Sequence, residues 1–325
     1  FLNNILDALE EKAKEGVEVR LMYDDFGSVT TVPQFYDKEM EKRGIQCVRF
    51  NPLKPLVSVV MNNRDHRKIV VIDGNISYTG GINLADEYIN LEHPYGVWKD
   101  NGIKITGESV WNFTIMFLNM WNSYRKDDVD YEKYKYDFSK EKLEQNGYTI
   151  PYGETPLDNE IVGENVYLNI INQSQKYVYI MTPYLIIDTD MINSLILAAK
   201  RGVDVRIVVP GIPDKKIVYR LTMSFARQLL KEGIQIYQYT PGFLHAKAWL
   251  IDEDLCSIGT VNLDYRSLFL HYECNSIFYQ SSIFHSLKKD MEQTMEMSKQ
   301  MKEEDCKQSI IKNLWDDFLR LFAPL

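Results

Sequence analysis

The sequence has few cysteines and no long hydrophobic run. Four cysteines occur among 325 residues and none stands in a Cys-x-x-Cys pair, so the pattern predicts reduced thiols and no thiolate zinc cage. No uninterrupted apolar stretch reaches about 18 residues, so no obvious membrane-spanning helix lies within this sequence. The first residue, Phe1, lies inside a helical pattern, and we expect an N-terminal part of the protein to precede it.

Positive charge is in deficit. The chain carries 37 Lys and Arg against 46 Asp and Glu, a formal net charge of −9. This balance does not favour a general nucleic-acid binder, which normally carries a basic stripe or patch. Apolar residues make up 45% and charged residues 26% of the sequence, which is typical of a folded chain, and the length predicts about two domains.

Two halves of the chain repeat the same short segments in the same order. Residues 13–20 read AKEGVEVR and residues 199–206 read AKRGVDVR, while DHRKIVVID at 65–73 matches LHAKAWLID at 244–252. Each half alternates helix and strand patterns, which predicts an α/β fold with a mixed sheet flanked by helices. The predicted organisation is a first domain, a connecting segment, a second domain and a C-terminal amphipathic helix, at 1–122, 123–143, 144–300 and 301–325.

The alignment of the halves also predicts a missing strand. The second half has a strand at 177–182 before its helix at 189–201, and Phe1 aligns near the start of that helix. The first half should therefore lack one sheet strand. An unpaired sheet edge favours aggregation, so we expect the chain by itself to be poorly stable or inactive. Shorter patterns predict one further helix and two strands, at 33–43, 67–72 and 246–251.

One repeated element carries the chemistry. The pattern His-x-Lys-x4-Asp-x6-Gly-x2-Asn occurs twice, and its two copies are His66, Lys68, Asp73, Gly80 and Asn83, and His245, Lys247, Asp252, Gly259 and Asn262. A chance match has a probability on the order of 10⁻⁷ per starting position, before the second copy is counted. Two ordinary exposed strand pairs would not be expected to share this spacing.

The spacing within each copy predicts a phosphate site. In a strand, residues two apart point to the same face, so each histidine lies beside a lysine. Two copies facing each other would offer two imidazoles and two ammonium groups, joined by the amides of Asn83 and Asn262. One imidazole can attack phosphorus while the other donates a proton, and the lysines and asparagines can neutralise phosphate charge without a metal ion. The alternative for the asparagines is that they only form turns.

The doubled motif resembles the hallmark of the phospholipase D superfamily and, within it, of bacterial cardiolipin synthases. The resemblance extends over essentially the whole chain. The segments that carry it besides the motif are Asp24-Asp25-Phe26-Gly27-Ser28, Thr182-Pro183-Tyr184, the run from Asn262 to Ser267, and the C-terminal run from Arg320 to Leu325. It implies two phospholipase D-like repeats packed with pseudo-twofold symmetry around one active site.

The resemblance also implies roles for these residues. His66 would be the nucleophile that forms a phosphatidyl-histidine, and His245 the general acid and then the base. Asp100 and Glu273 would orient the rings, although spacing alone leaves open that they are surface carboxylates. Asp73 and Asp252 complete the catalytic motif, with a structural role at the strand end.

The implied reaction joins two phosphatidylglycerol molecules into cardiolipin and glycerol, without metal or cofactor. The implied place is the cell membrane, through an N-terminal region outside this sequence, with the catalytic part at the membrane surface and no nucleic-acid partner. The main alternative is a hydrolytic phospholipase D or another phosphatidyltransferase of the same superfamily. A nuclease is disfavoured by the negative charge, and a non-catalytic lipid-binding scaffold by the two intact motifs.

Two apolar segments could contact lipid or protein. The pattern at 108–122 is apolar almost all round but too short to span a bilayer, and it favours a buried core helix. At the C-terminus an amphipathic stripe fits equally a helix docked on the protein and one lying on a membrane surface. Its members are Ile310, Ile311, Leu314, Trp315, Phe318, Leu319 and Phe322.

Overall fold

We analysed a computed structural model, which describes residues 1–52, 62–126, 130–142, 146–307 and 309–321. The helices of the first half are α1 (Leu2–Lys14), α2 (Tyr36–Lys42) and α3 (Val110–Tyr124). Its strands are β1 (Arg20–Asp24), β2 (Gln46–Phe50), β3 (Arg64–Asp65), β4 (Val70–Ile72), β5 (Ile76–Gly80) and β6 (Gly102–Thr106).

The second half has more strands and longer helices. Its helices are α4 (Val162–Gln173), α5 (Thr189–Lys200), α6 (Lys216–Lys231), α7 (Tyr265–Phe269), α8 (Ile283–Glu296) and α9 (Ile310–Arg320). Its strands are β7 (Tyr148–Glu154), β8 (Tyr177–Met181), β9 (Leu185–Ile186), β10 (Asp204–Pro210), β11 (Gln235–Tyr239), β12 (Ala248–Ile251), β13 (Leu255–Gly259), β14 (Leu263–Asp264), β15 (His271–Tyr279) and β16 (Ser298–Gln300).

A nine-stranded mixed sheet forms the centre of the molecule. Its order is β16-β11-β10-β8-β12-β13-β15-β3, and β7 also pairs with β15. Helices α4, α5 and α6 bury one face of this sheet. On the other face, Ile105 and Phe113 of the first half pack in one apolar cluster with Leu244 and Phe278 of the second. The predicted α/β fold of two repeats is confirmed, and the two halves share a core.

The first half divides its strands between smaller sheets. Strands β1 and β2 form a parallel pair, while β4, β5 and β6 form a separate antiparallel sheet. In the second half, the strands that correspond to β1 and β4 are β10 and β12. Strand β8 pairs with both of them and so joins them in one sheet. Among the described residues no strand of the first half makes that connection. A pocket of about 100 Å³ lies between β1, the segment before β4, and α3. It is lined by Arg20, Leu21, Met22, Asp65, Arg67, Ile69, Phe117 and Met120.

Three element boundaries differ from the prediction. Helix α2 begins at Tyr36, since Phe35 has a left-handed φ of 61° that a helix cannot include. The strands predicted at 67–72 and 246–251 begin only at Val70 and Ala248. Both histidine–lysine pairs precede their strands, because the backbone of each motif histidine pairs with the other half of the molecule. The domain boundaries stay a prediction.

The two apolar segments have different surroundings. Helix α3 buries Val110, Phe113 and Trp121, so the prediction of a core helix is confirmed. No helix in the described part of the chain is both long and apolar enough to cross a membrane. Helix α9 contacts α6 through its charged side: the Asp316 carboxylate lies 2.5 Å from both Arg220 and Arg227.

The apolar side of α9 faces outward. The most exposed positions are Ile311 at 79%, Leu321 at 75% and Leu314 at 63%. The rings of Trp315 and Phe318 stack on the same side, with centroids 5.3 Å apart. Leu319 is the member of the predicted stripe that packs against the core, while Phe322 and the side chain of Ile310 lie outside the described residues.

Candidate active site

The first histidine is positioned by the sheet of the second half. Strand β3 pairs in parallel with the start of β15, with Arg64 opposite His271 and Asp65 opposite Tyr272. The next residue, His66, donates its backbone N–H to the Tyr272 carbonyl over 2.9 Å. This pairing brings the His66 ring next to Glu273.

The second histidine is positioned by the first half in the same way. Lys99 and Leu244 form a parallel bridge, and the backbone N–H of His245 donates to the Lys99 carbonyl over 2.7 Å. This brings the His245 ring next to Asp100. Each histidine therefore contacts the acidic residue that follows the other copy of the motif. The two contacts are equivalent, with the roles of the first and second half exchanged.

On the His66 side the carboxylate is fully buried. Nδ1 of His66 lies 2.9 and 3.0 Å from the two oxygens of Glu273. The hydroxyls of Thr260 and Ser267 also donate to this carboxylate. Burial by itself would raise the pKa of Glu273, but the His66 and His271 rings hold it well below its usual range. Glu273 is therefore an ionised carboxylate that accepts a hydrogen bond from Nδ1–H, which leaves Nε2 of His66 as the basic nitrogen.

On the His245 side the carboxylate is shorter and is held differently. Nδ1 of His245 lies 2.7 Å from Oδ2 of Asp100. Oδ1 accepts the backbone N–H of Asn101 over 2.9 Å, and the Trp98 indole N–H lies 3.4 Å from Oδ2. Burial opposes ionisation of Asp100, but His245 and Lys247 outweigh it and lower the pKa to about 2. The alternative that Asp100 and Glu273 are surface carboxylates is wrong, since their side chains are 3% and 0% exposed.

Two ammonium groups lie beside the histidines. Lys68 Nζ donates to the carbonyl of His66 over 2.7 Å, and Lys247 Nζ donates to the carbonyl of His245. Burial lowers the pKa of both lysines, and that of Lys247 falls to about 7 although Asp100 opposes the effect. Two cations that are partly removed from water and repel each other favour an anion between them.

The two copies act on each other electrostatically. Burial is the main reason why the pKa of each histidine is lowered, to about 3 for His245 and in the same direction for His66. Lys247 contributes to the lowering at His66, and Lys68 to that at His245. The two motifs therefore form one site in which both imidazoles are neutral at neutral pH before an anion enters.

The two asparagines differ in their contacts. The Asn83 amide donates to the Tyr88 hydroxyl over 2.6 Å, and the Tyr88 ring packs edge-on against His245 at 5.2 Å. Asn262 donates its backbone N–H to the Ser267 hydroxyl over 2.8 Å, while its buried Oδ1 has no hydrogen-bond partner among the described residues. Phosphate binding by Asn83 and Asn262 stays a prediction.

The motif aspartates lie at equivalent positions in the two halves. Both lie in a hairpin turn with left-handed backbone, at φ values of 52° for Asp73 and 51° for Asp252. The carboxylate of Asp252 accepts the backbone N–H groups of residues 175–177, where β8 begins. Asp73 is exposed. Each lies at the end of its strand opposite the histidine. The contacts of Asp252 are those expected of a structural role, and the catalytic assignment of both aspartates stays a prediction.

Several residues of the site were not predicted. Thr260 occupies the place that Gly81 has in the first copy, and this difference was the available signal for its contact with Glu273. Asp24 begins one of the segments that carry the family resemblance and had no predicted role in the site. Its carboxylate accepts the Gly27 N–H over 2.6 Å and also binds the Arg64 guanidinium and the Asp65 N–H, and so holds β3. The sequence indicated no cluster of metal ligands, yet one group of three exists: His66, His271 and Glu273.

Comparison with known proteins agrees with this geometry. The sequence profile of the family described as "Cardiolipin synthase, PLD-like domain" matches residues 2–121 and 167–295. The chain is 36% identical to cardiolipin synthase 1 of Bacillus cereus, over 99% of this chain and 64% of that protein. It is 38% identical to cardiolipin synthase 1 of Staphylococcus aureus strain MRSA252, over 92% of this chain and 61% of that protein.

Two further similarities concern other proteins. An uncharacterized protein of Streptococcus mutans is 47% identical over 99% of this chain and 69% of its own length. The crystal structure of phosphatidylserine synthase from Haemophilus influenzae Rd KW20 has a TM-score of 0.73 at 17% identity, covering 99% of this chain and 85% of that one, which is a similarity of fold. This chain spans between 61% and 69% of the length of the relatives named here. The chain belongs to the phospholipase D-like family of cardiolipin synthases.

Proposed function

We propose that the chain is the catalytic part of a cardiolipin synthase that transfers a phosphatidyl group from one phosphatidylglycerol to another. The observation that carries the proposal is the pair of crossed histidine–carboxylate contacts with a lysine beside each ring, Lys247 buried and Lys68 half-buried. Two imidazoles with fixed tautomers can serve one phosphorus as nucleophile and as proton donor. The names of the relatives supply the product, cardiolipin, and the resemblance to cardiolipin synthases implies phosphatidylglycerol as the substrate.

In the first step, Nε2 of His66 attacks the phosphorus of a phosphatidylglycerol. The bond between phosphorus and the head-group glycerol oxygen breaks, and His245 in its imidazolium form gives its proton to that oxygen. Glycerol leaves, and the lipid stays bound to His66 as a phosphatidyl-histidine. The hydrogen bond from Nδ1 to Glu273 stabilises the positive charge that develops on this ring.

In the second step, His245 acts as a base. It takes the proton from a head-group hydroxyl of a second phosphatidylglycerol, whose oxygen attacks the phosphorus. The phosphorus–nitrogen bond breaks, which restores His66 and releases cardiolipin. This step returns a proton to His245, which is again the imidazolium that it was at the start of the first step.

Because the pKa of His245 is low in the free site, substrate binding is expected to change the protonation of this ring. Burial and Lys247 keep the ring neutral in the free site. A phosphodiester anion bound by the two lysines offsets their charge, so its arrival favours the imidazolium that the first step requires. The acid is therefore formed when a lipid phosphate is in place.

Membrane contact through α9 belongs to the same proposal. Its charged side is held by Arg220 and Arg227, while its apolar side faces outward. A helix with tryptophan and leucine on its outward side is suited to the boundary between head groups and acyl chains. We place the catalytic part at the membrane surface, where its substrates lie.

A pair of matched substitutions tests this contact. Leu314→Glu on α9 should weaken binding to phosphatidylglycerol vesicles about tenfold, because inserting one leucine contributes roughly 1.5–3 kcal/mol. Leu157→Glu is the control, since Leu157 is 70% exposed on a different part of the surface. Cosedimentation with vesicles measures both. Equal binding of the two variants would contradict a membrane role for α9.

The reaction itself is tested with labelled phosphatidylglycerol and the full-length protein in vesicles, with chelator and no added metal. Cardiolipin and glycerol in equal amounts are expected. Phosphatidic acid as the main product would instead identify a hydrolytic phospholipase D, in which water takes the place of the second lipid. Turnover that stops with chelator and returns with one particular metal would contradict the metal-free mechanism.

A further inference from the structure

A third nitrogen lies beside the His66–Glu273 pair. His271 is two residues before Glu273 on β15 and therefore projects to the same face of that strand. Its Nδ1 is 3.7 Å from Oε1 of Glu273. This nitrogen is buried and has no hydrogen-bond partner in the part of the chain that the structure describes. The ring centroids of His66 and His271 are 5.9 Å apart.

These three side chains have the composition and spacing of a metal site. The ligand atoms of His66, His271 and Glu273 all lie within 4.8 Å of one another. Around a tetrahedral zinc ion with bonds of roughly 2.1 Å, neighbouring ligand atoms are about 3.4 Å apart. The distances from Glu273 Oε1 to the two imidazoles, 2.9 and 3.7 Å, lie on either side of that value. Two imidazoles and one carboxylate form a recognised zinc set, with a fourth position left open.

The residues around these three side chains have opposing effects on metal binding. The Thr260 and Ser267 hydroxyls donate to the Glu273 carboxylate and fix its orientation, as outer partners of metal ligands commonly do. Lys68 and Lys247 act in the opposite direction, because two nearby ammonium groups repel a cation. We therefore expect weaker and reversible binding rather than that of a permanent structural metal.

We propose that His66, His271 and Glu273 bind Zn²⁺ and that this ion inhibits the enzyme. A neutral imidazole has one proton and one nitrogen lone pair. If the ion takes Nδ1 of His66, the proton moves to Nε2 and no lone pair remains there to attack phosphorus. If it takes Nε2, the attacking atom itself is covered. The binding is independent of the proposed function, whereas the inhibition rests on it.

The test separates binding from inhibition. Chelator-treated full-length protein is titrated with Zn²⁺ by calorimetry, and with Co²⁺, whose visible absorption reports tetrahedral coordination. Cardiolipin formation is measured over the same Zn²⁺ range. His271→Asn should weaken Zn²⁺ binding at least tenfold, since losing even an outer partner of a metal ligand typically costs roughly 10–100-fold. The matched control is His285→Asn, a histidine exposed on α8.

The expected result is tetrahedral Co²⁺ absorption and Zn²⁺ inhibition in the wild type and in His285→Asn, with both shifted to at least tenfold higher metal concentration in His271→Asn. Each variant is compared with its own rate in chelator. Zn²⁺ binding of equal strength to His271→Asn, or no binding to the wild type, would overturn the site. Binding lost in His271→Asn without inhibition of the wild type would overturn the inhibitory role and count against His66 as nucleophile. Absence of cardiolipin formation in chelator would contradict the proposed function and leave the metal titrations to decide the site.

Discussion

The two sides of the active site perform related tasks with different chemistry. Glu273 is held by two hydroxyls and binds the more exposed histidine, His66, whose side chain is 25% accessible. Asp100 is held by a backbone N–H and lies next to a glycine, and its partner His245 is 7% accessible. The longer carboxylate thus serves the ring that we assign to attack. The shorter one serves the ring that is enclosed by aromatic residues and exchanges protons.

The glycine and the threonine at equivalent positions account for much of this difference. A Cβ atom on Gly81 would lie 2.0 Å from Oδ1 of Asp100, so no side chain fits there. At the corresponding place in the second copy, the Thr260 hydroxyl reaches the Glu273 carboxylate. A repeated motif can therefore keep its histidines and lysines in place while the residues around them diverge to suit two roles.

The largest effect should separate the two histidines. His66→Asn should abolish the covalent lipid intermediate, because the attacking nitrogen is lost. His245→Asn should slow glycerol departure by about 10²–10⁴-fold, the usual contribution of general acid catalysis. An activated lipid with a good leaving group should rescue intermediate formation in His245→Asn alone. Acid-quenched labelling with radioactive lipid measures this, and label trapped on His66→Asn but absent from His245→Asn would reverse the assignment.

The two carboxylates should differ in how far the activated lipid rescues their variants, in the same way as the histidines that they contact. Glu273→Gln and Asp100→Asn each replace an acceptor with an amide that can donate to Nδ1 and so favour the wrong tautomer. The expected loss is on the order of 10³–10⁴-fold, as for the equivalent change in serine proteases. The activated lipid should restore much of the rate in Asp100→Asn and little in Glu273→Gln. Single-turnover rates with both lipids decide it, and equal rescue of the two variants would remove the distinction between the sides.

A smaller effect is expected from adding one methyl group beside Asp100. Gly81→Ala forces the carboxylate to move, and a displacement of about 1 Å in a catalytic group can cost roughly 10²-fold. The defect should resemble that of Asp100→Asn and respond to the activated lipid. Gly102→Ala is the control, because the nearest atom to its added Cβ is 3.5 Å away. Steady-state kinetics and thermal melting of both variants are the measurements, and a fully active Gly81→Ala would show that the position of Asp100 tolerates change.

The pH dependence of intermediate formation should report the protonation state of His66. Protonated His66 cannot attack, so the rate of intermediate formation falls as the pH drops through the pKa of this ring. Burial lowers that pKa from its ordinary value of 6.5, and Lys68 reinforces the effect. With the activated lipid, which needs little acid catalysis, the acid limb should have its midpoint below pH 6.5. The same limb should persist in His245→Asn. A midpoint above 6.5 would contradict the neutral state assigned to His66 in the free protein.

The sequence predicted the parts of the site that depend on local spacing. The two motif copies indicated both histidine–lysine pairs and the position of Asp73 and Asp252 at a strand end. Which carboxylate faces which histidine could not be predicted, because His66 and Glu273 meet through a strand pairing 207 residues apart. His271 lies outside the motif spacing, so its place beside His66 was also invisible.

The C-terminal helix shows a similar division. Its periodicity predicted an apolar stripe, but the direction of that stripe depends on α6. Arg220 and Arg227 bind Asp316 on the charged side of α9, so this contact decides that the apolar side faces outward. The divided sheets of the first half likewise depend on long-range pairing, although the repeat alignment correctly indicated which strand has no counterpart among the described residues.

The crossed pairing of the halves has a consequence for the order of synthesis. When the ribosome has made the first half, His66 is present but its carboxylate partner is not, because Glu273 is added 207 residues later. Asp100 waits in the same way for His245, 145 residues further on. A nascent chain therefore has neither histidine–carboxylate pair until His245 has been made, and it lacks the His66 pair until Glu273 has been made. Under the proposed mechanism, efficient attack on lipid has to wait until both halves have been made and have folded together.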